Sequence, residues 1–124
     1  ITRISRGVFS GCTALQSITL PLSAKGIGEK VFEGCTSLQS VNIPDGVTKL
    51  GFKVFSNCTS LSTITIPASV KTLGQLAFEQ CTSLQNIVYQ GTKSEWEYIT
   101  KDASWNQDVP CRVVHCIDGD VEID

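Results

Sequence analysis

A 23-residue repeat covers most of the 124 positions of this sequence. The stretch GCTSLQSVNIP at 34–44 has close counterparts at 11–21, 57–67 and 80–90. Two of the columns that keep a single residue type are expected to form structural ladders: Phe9, Phe32, Phe55 and Phe78, and Cys12, Cys35, Cys58 and Cys81. Because a unit of this length cannot bury enough apolar surface alone, consecutive units are expected to stack as the coils of a solenoid.

Each unit contains the pattern Leu-x-x-(Val/Ile)-x-(Leu/Ile), whose last residues alternate between apolar and polar. This alternation predicts a strand with one buried face, and the proline that follows it in three units ends that strand. The next stretch, VTKLGFKVF at 47–55, is interrupted by Gly51. We predict a short second strand there, followed by one helical turn that leads to the cysteine. The predicted fold class is a repeat solenoid of mostly short parallel β-strands with helical turns.

The strand segments ALQSITL, SLQSVNI, SLSTITI and SLQNIVY contain no charged residue. Their outward positions are predicted to form an extended neutral face, the candidate binding face: Ser17, Thr19, Ser40, Asn42, Thr63, Thr65, Asn86 and Val88. Such a face can bind protein or glycan through many hydrogen bonds, as concave repeat surfaces do. It can equally be a solvated sheet held by Ser/Thr ladders, and it lacks the aromatic residues typical of tight binding.

The chain has six cysteines. The four in the repeats are predicted to be buried free thiols that act as small apolar fillers. Disulfides between stacked neighbours are the alternative, because an even count suits an exported protein. Zinc is not expected, since paired Cys-x-x-Cys spacing is missing and Cys111 and Cys116 fall on opposite faces of a predicted strand. The threonines at 13, 36, 59 and 82 are predicted to hydrogen-bond the backbone of a turn in every coil.

The array is expected to occupy residues 1–90, starting with a partial repeat, and residues 91–124 to form a C-terminal capping segment. Gln90 stands where the earlier units have proline. The stretch at 92–102, TKSEWEYITKD, begins with threonine and has Glu95 early and Lys101 late, which predicts a short helix with charges that match its dipole. Within it, Trp96 and Ile99 fall on one side and are expected to pack onto the last coil.

The end of the chain, CRVVHCIDGDVEID at 111–124, predicts a β-hairpin that turns at Asp118–Gly119. Val121 and Ile123 are expected on one face of this hairpin. The acidic residues that alternate with them, Asp118, Asp120, Glu122 and Asp124, lack the glycine and the late glutamate of a calcium loop. We therefore expect them to form a solvated face. Trp105 is expected to fill the junction between the helix and the hairpin.

Charge and composition weigh against several functional classes. Residues 1–90 carry seven basic and four acidic residues (+3), and residues 91–124 carry three and eight (−5). Neither value approaches the basic stripe of a nucleic-acid-binding protein, and no apolar run is long enough to insert into a membrane. His115 is the single histidine, and no nucleophile elbow or phosphate loop is present. We predict no catalytic residue, no metal site and no cofactor.

The pattern F-x-x-C-T-x-L-x-x-(V/I)-x-(I/L)-P with its 23-residue step resembles the BspA-like leucine-rich repeat family over residues 1 to about 90. The stretches YQGTKSEWEYIT and VVHCIDGD look like the segment that closes such arrays. The resemblance implies a leucine-rich repeat right-handed superhelix in a bacterial protein that is secreted or lies on the cell surface. It also implies adhesion to host proteins or to other cells.

From the residues and this resemblance we expect a non-enzymatic, extracellular or cell-surface domain that mediates adhesion. Its expected partner is a surface protein or glycan of a host or of another cell, and not nucleic acid. The domain is expected to be monomeric. A structural spacer that holds another domain away from the cell is one alternative, and an accessory domain that positions substrate for a larger enzyme is another. Because the sequence begins inside a repeat and without methionine, we interpret it as part of a longer or processed protein.

Overall fold

The computed structural model describes residues 3–123, which form five coils with two strands each and a final strand, β11. The first sheet contains β1 (Arg3–Ile4), β3 (Gly26–Ile27), β5 (Lys49–Leu50), β7 (Thr72–Leu73) and β9 (Thr100–Lys101). The second sheet contains β2 (Ser17–Thr19), β4 (Ser40–Asn42), β6 (Thr63–Ile66), β8 (Asn86–Tyr89), β10 (Val113–Cys116) and β11 (Gly119–Glu122). Strands of successive coils pair in parallel, and β10 and β11 pair antiparallel. The predicted solenoid of short parallel strands is confirmed.

The third side of each coil consists of tight turns and differs from the predicted helical turn. Two positions in each repeated turn have positive φ, for example Lys53 at 54° and Asn57 at 62°. A helix keeps φ negative throughout, so these residues redirect the chain before a helical turn can form. The turns still satisfy the backbone: Cys58 N donates to Phe55 O (3.2 Å), and Phe55 N donates to Ala77 O of the next coil (2.8 Å).

The phenylalanine column forms a continuous stack inside the solenoid. The structure places Phe9, Phe32, Phe55 and Phe78 with neighbouring ring centroids 5.3 to 5.5 Å apart and ring planes within 6° of parallel. Trp105 meets the ring of Phe78 edge-on at 6.1 Å. Phe9 lies in the first coil and is half-buried, whereas the other three rings are fully buried. The column therefore ties each coil to the next through the core.

The cysteine column runs beside these rings. Cys35, Cys58 and Cys81 are fully buried, and each thiol donates a hydrogen bond to a phenylalanine carbonyl of the preceding coil, at 3.0 to 3.1 Å. Cys12 is half-buried, and all six cysteines are free. Burial raises the pKa of Cys35 to about 11. The neighbouring Cys81 thiol and burial raise the pKa of Cys58. At neutral pH Cys35 and Cys58 are thus protonated and weakly nucleophilic.

Residues 91–116 form one further coil with a longer step than the repeats before it. The lengthening is seen in both sheets, at the pair Leu73–Lys101 in the first and at the pair Ile87–Val114 in the second. The extra length holds the predicted helix, α1 (Lys93–Tyr98), whose first turn is closed by a reciprocal pair of hydrogen bonds between Thr92 and Glu95. Parallel pairing between coils continues beyond residue 90. The division of the chain at that residue stays a prediction, as does the capping role of residues 91–124.

The buried side of α1 packs into the interior of this further coil. Trp96 and Ile99 are buried, and the Trp96 ring lies 5.7 Å from that of Trp105. The Lys101 ammonium donates hydrogen bonds to the carbonyls of Trp96 (2.8 Å) and Ile99 (3.3 Å), so it satisfies acceptors at the C-terminal end of α1. Burial lowers the pKa of Lys101. These hydrogen bonds allow Lys101 to occupy a strand position whose side chain faces inward.

The last pair of the hairpin is Cys116 with Gly119, so the two residues between them, Ile117 and Asp118, form the turn. The turn predicted at Asp118–Gly119 therefore lies one position earlier in the chain. Val121 and Ile123 pack partly buried against the core, as predicted, and Asp120 and Glu122 are exposed. Asp124 lies outside the described residues.

The predicted structural role of the threonine column is wrong. Thr13, Thr36, Thr59 and Thr82 are exposed, and within residues 3–123 their hydroxyls form no hydrogen bond to the chain. We therefore expect Thr59→Val to change the free energy of unfolding by less than about 0.5 kcal/mol, as for an ordinary surface substitution. Chemical denaturation of both proteins measures this difference. A loss of about 1 kcal/mol or more would restore a structural role for this hydroxyl.

Candidate functional site

The candidate binding face is the outer side of β2, β4, β6 and β8 in the second sheet. Side chains alternate across a strand, and the inward residues Ile64 and Ile87 are fully buried. The structure places the eight predicted residues on the opposite side. Five are exposed, namely Ser17, Thr19, Ser40, Asn42 and Asn86, and three are half-buried, namely Thr63, Thr65 and Val88.

Strand register arranges these side chains in two rows that run along the solenoid. One row is formed by Ser17, Ser40, Thr63 and Asn86, and the other by Thr19, Asn42, Thr65 and Val88. Because successive parallel strands lie about 4.8 Å apart, each row presents one polar group per coil over four coils, apart from Val88. The side chains of the first three coils enclose a shallow concavity of about 320 Å³.

The polar groups of this face have no internal partners. Within the described part of the chain, the side chains of the seven polar residues form no hydrogen bond to other protein groups. The Ser/Thr ladder that would explain these residues as purely structural is therefore not formed. Their donors and acceptors are available to solvent or to a ligand.

The second sheet extends this face beyond the four predicted strands. His115 of β10 pairs in register with Val88 on one side and with Asp120 of β11 on the other. The His115 Nδ1 and Asp120 Oδ1 atoms are 2.8 Å apart, and both side chains are exposed. The neutral row of Thr19 thus ends in a hydrogen-bonded histidine–aspartate pair. Sequence reasoning missed this extension, because the longer step of the last coil hides the correspondence between VVHC and the earlier strands.

Cys111 and Cys116, which are near His115 in the sequence, do not form a cluster with its side chain. Cys111 precedes β10 and donates from Sγ to the carbonyl of Val113 (3.0 Å), and Cys116 is half-buried at the end of that strand. Burial raises the pKa of Cys116, with Asp118 and Asp120 adding to the effect. Across residues 3–123 no group of three His, Cys, Asp or Glu side chains is placed to hold a metal ion. Over the same residues no helix has the length and apolar character to cross a membrane.

Three solved structures have folds similar to this chain. A leucine-rich repeat protein from Bacteroides ovatus is 35% identical, with a TM-score of 0.67, over 71% of this chain and 23% of its own. A leucine-rich cell surface protein from Faecalibacterium prausnitzii is 33% identical, with a TM-score of 0.64, over 84% of this chain and 34% of its own. The T. pallidum leucine-rich repeat protein is 25% identical, with a TM-score of 0.62, over 71% of this chain and 52% of its own.

The chain therefore spans between about a quarter and a half of these relatives. No curated protein matches it. A family model of the BspA type leucine-rich repeat region, in six copies, matches residues 1–107. Together with the 23-residue columns and the stacked parallel coils, this match identifies the family. The chain belongs to the BspA-type leucine-rich repeat proteins.

Proposed function

We propose that this chain is a non-enzymatic binding domain of a secreted or cell-surface protein, and that it mediates adhesion through the candidate binding face. Its partner is a surface protein or glycan of a host or of another cell. The observation that carries the proposal is the set of unpartnered hydroxyls and amides arranged in register over four coils. A leucine-rich repeat domain has a protein-binding or a structural role, and the description of the Faecalibacterium prausnitzii relative as a cell surface protein supports this location.

The physical basis of binding is the rigidity of the sheet. β4, β6 and β8 are paired with a strand on each side and β2 is paired with β4. The polar groups are therefore held in place before a partner arrives and lose little conformational freedom on binding. A partner with regularly spaced hydroxyls or amides can then form many weak hydrogen bonds at once. Affinity in this arrangement comes from the number of contacts, since the face has no charge or aromatic anchor on β2, β4 and β6.

A structural spacer is the second candidate, and the missing aromatic anchors favour it. Continuous coil-to-coil hydrogen bonding on all three sides makes the array a stiff rod. A rod of this kind can hold another domain at a distance without contacting a partner. An accessory role in a larger enzyme is the third candidate, for which a catalytic domain elsewhere in the same gene would be required.

Charge introduction tests the binding role directly. We expect the double substitution Ser40→Glu and Thr63→Glu to abolish binding to immobilised extracellular-matrix proteins or glycans, because two adjacent carboxylates on a neutral face desolvate poorly and repel one another. Surface plasmon resonance over a panel of both ligand classes measures the loss. Circular dichroism establishes that both proteins are folded.

Thr72→Glu is the matched control, since Thr72 is a half-buried threonine that faces outward on the first sheet. It should leave binding to the uncharged ligands of the panel unchanged. An equal loss of binding in the double variant and in Thr72→Glu would show that added negative charge weakens binding wherever it is placed. The candidate binding face would then not be the binding surface. Full cell adhesion after these coils are replaced by unrelated coils of equal length would establish the spacer instead.

A further inference from the structure

A second surface lies on the first sheet, away from the candidate binding face. It is a groove of about 590 Å³ that is lined by residues of all five coils, from Arg3 in the first to Asp102 in the fifth. Four spacings of about 4.8 Å between parallel strands give it a length of about 19 Å. Its floor is largely glycine backbone at Gly28, Gly51 and Gly74. A Cβ atom at Gly74 would lie 2.6 Å from the Gly51 carbonyl carbon, so side chains are sterically excluded from the floor there.

One side of this groove carries a positive charge in successive coils. Arg3, Lys25 and Lys49 come from coils one, two and three; all three are exposed and line the groove. Lys71 of coil four does not line the groove, and its ammonium donates to the Ala68 carbonyl (3.3 Å). Arg3 and Lys49 lie in one column and Lys25 in a neighbouring one. One cation therefore recurs about every 4.8 Å along the solenoid axis over the first three coils.

Two acidic residues also line the groove. Glu29 lies 3.7 Å from Arg6, and this ion pair balances its charge. Asp102 lies at the far end, in the fifth coil. The first three coils of the groove therefore attract anions, and the fifth does not.

Phe52 adds an aromatic group to the groove. Its side chain is partly exposed, and the ammonium groups of Lys30 and Lys53 lie 5.9 and 5.6 Å from the ring centroid. An aromatic ring can pack against the apolar face of a sugar, as aromatic residues do in many ligand sites. Two further cations beside that ring favour a sugar that carries an acidic group.

We propose that this groove binds an acidic polysaccharide. Such a ligand supplies carboxylates for the exposed cations of the first three coils and the apolar face of a sugar for Phe52. An acidic peptide supplies carboxylates but no sugar face for this ring. The ligand of this groove is independent of the partner of the candidate binding face.

Binding of an oligogalacturonate long enough to span the groove tests the proposal, with its methyl-esterified form as the uncharged control. We expect binding of the acid form only. With about three cation contacts at a salt slope of about 0.7 each, raising salt from about 50 to 200 mM should weaken binding by roughly tenfold or more. Isothermal titration calorimetry at both salt concentrations measures this dependence.

Lys49→Glu should weaken oligogalacturonate binding by about tenfold, because an attractive charge becomes a repulsive one. Lys93→Glu is the matched control, since it makes the same charge change at an exposed position in the first turn of α1. It should leave binding within about twofold, because Lys93 lies beside Gly119 of the hairpin and does not line the groove. Phe52→Ala should weaken binding of the oligogalacturonate as well.

Several results would overturn the proposal. They are absence of binding, equal binding of the methyl ester, equal loss in Lys49→Glu and Lys93→Glu, and binding that is unaffected by Phe52→Ala. Tighter binding of poly-glutamate or of single-stranded DNA would assign the groove to another class of polyanion. The Ser40→Glu and Thr63→Glu protein should bind oligogalacturonate normally, so failure of this proposal and failure of the proposed adhesion function can be told apart.

Discussion

Phe55→Ala is expected to lower the free energy of unfolding by about 3–5 kcal/mol, the range for a fully buried aromatic residue whose removal leaves a cavity. Phe55 is completely buried, and its ring stacks on Phe32 at 5.3 Å and on Phe78 at 5.4 Å. Neighbouring coils cannot close the gap, because their separation is fixed by the backbone hydrogen bonds of the two sheets. Equilibrium denaturation in urea measures the change.

Phe9→Ala is the matched control for this prediction. Phe9 belongs to the same column, but its ring is only half-buried and stacks on a single neighbour, Phe32. Its replacement should cost less than half as much as that of Phe55. Similar costs at the two positions, or a cost below about 1 kcal/mol at Phe55, would contradict the central place of this column in the core.

Gly51→Ala is expected to destabilise the protein by about 3 kcal/mol, at the upper end of the range for overpacking. A Cβ atom at this position would lie 2.7 Å from the Gly28 carbonyl carbon and 2.8 Å from the Glu29 nitrogen. Both atoms belong to the backbone of the preceding coil, which cannot move aside without stretching the hydrogen bond from Gly51 N to Ile27 O (3.0 Å). Thermal and chemical denaturation measure the effect.

Gly26→Ala provides the comparison, since a Cβ atom there would meet only the Arg3 side chain, at 3.9 Å. This is ordinary van der Waals contact with a flexible group, so the substitution should change stability by less than about 1 kcal/mol. If Gly51→Ala were tolerated as well as Gly26→Ala, the coils would have to be farther apart along this column than the structure shows.

The last coil shows where sequence reasoning reaches its limit. The helix at Lys93–Tyr98 was predictable, because its capping residues Thr92 and Glu95 are neighbours in the sequence. The parallel pairing of β10 with β8 was not, because an insertion lengthens the step and shifts the register of the last coil. The pairing of His115 with Val88, which extends the candidate binding face, followed only from the structure. The prediction for the threonine column is wrong for a related reason: a repeated residue marks a repeated position without revealing its contacts.

The 23-residue period by itself determined that the coils stack, which columns lie inside and which strand positions face outward. These features follow from local alternation and from the need of each unit to bury its apolar side on a neighbour. Only the tertiary structure decided that the turns use left-handed residues and that charges from successive repeats line one groove beside the glycine backbone of the first sheet. Such features depend on distances between coils, and the strand spacing of about 4.8 Å brings together groups that belong to different repeats of the sequence.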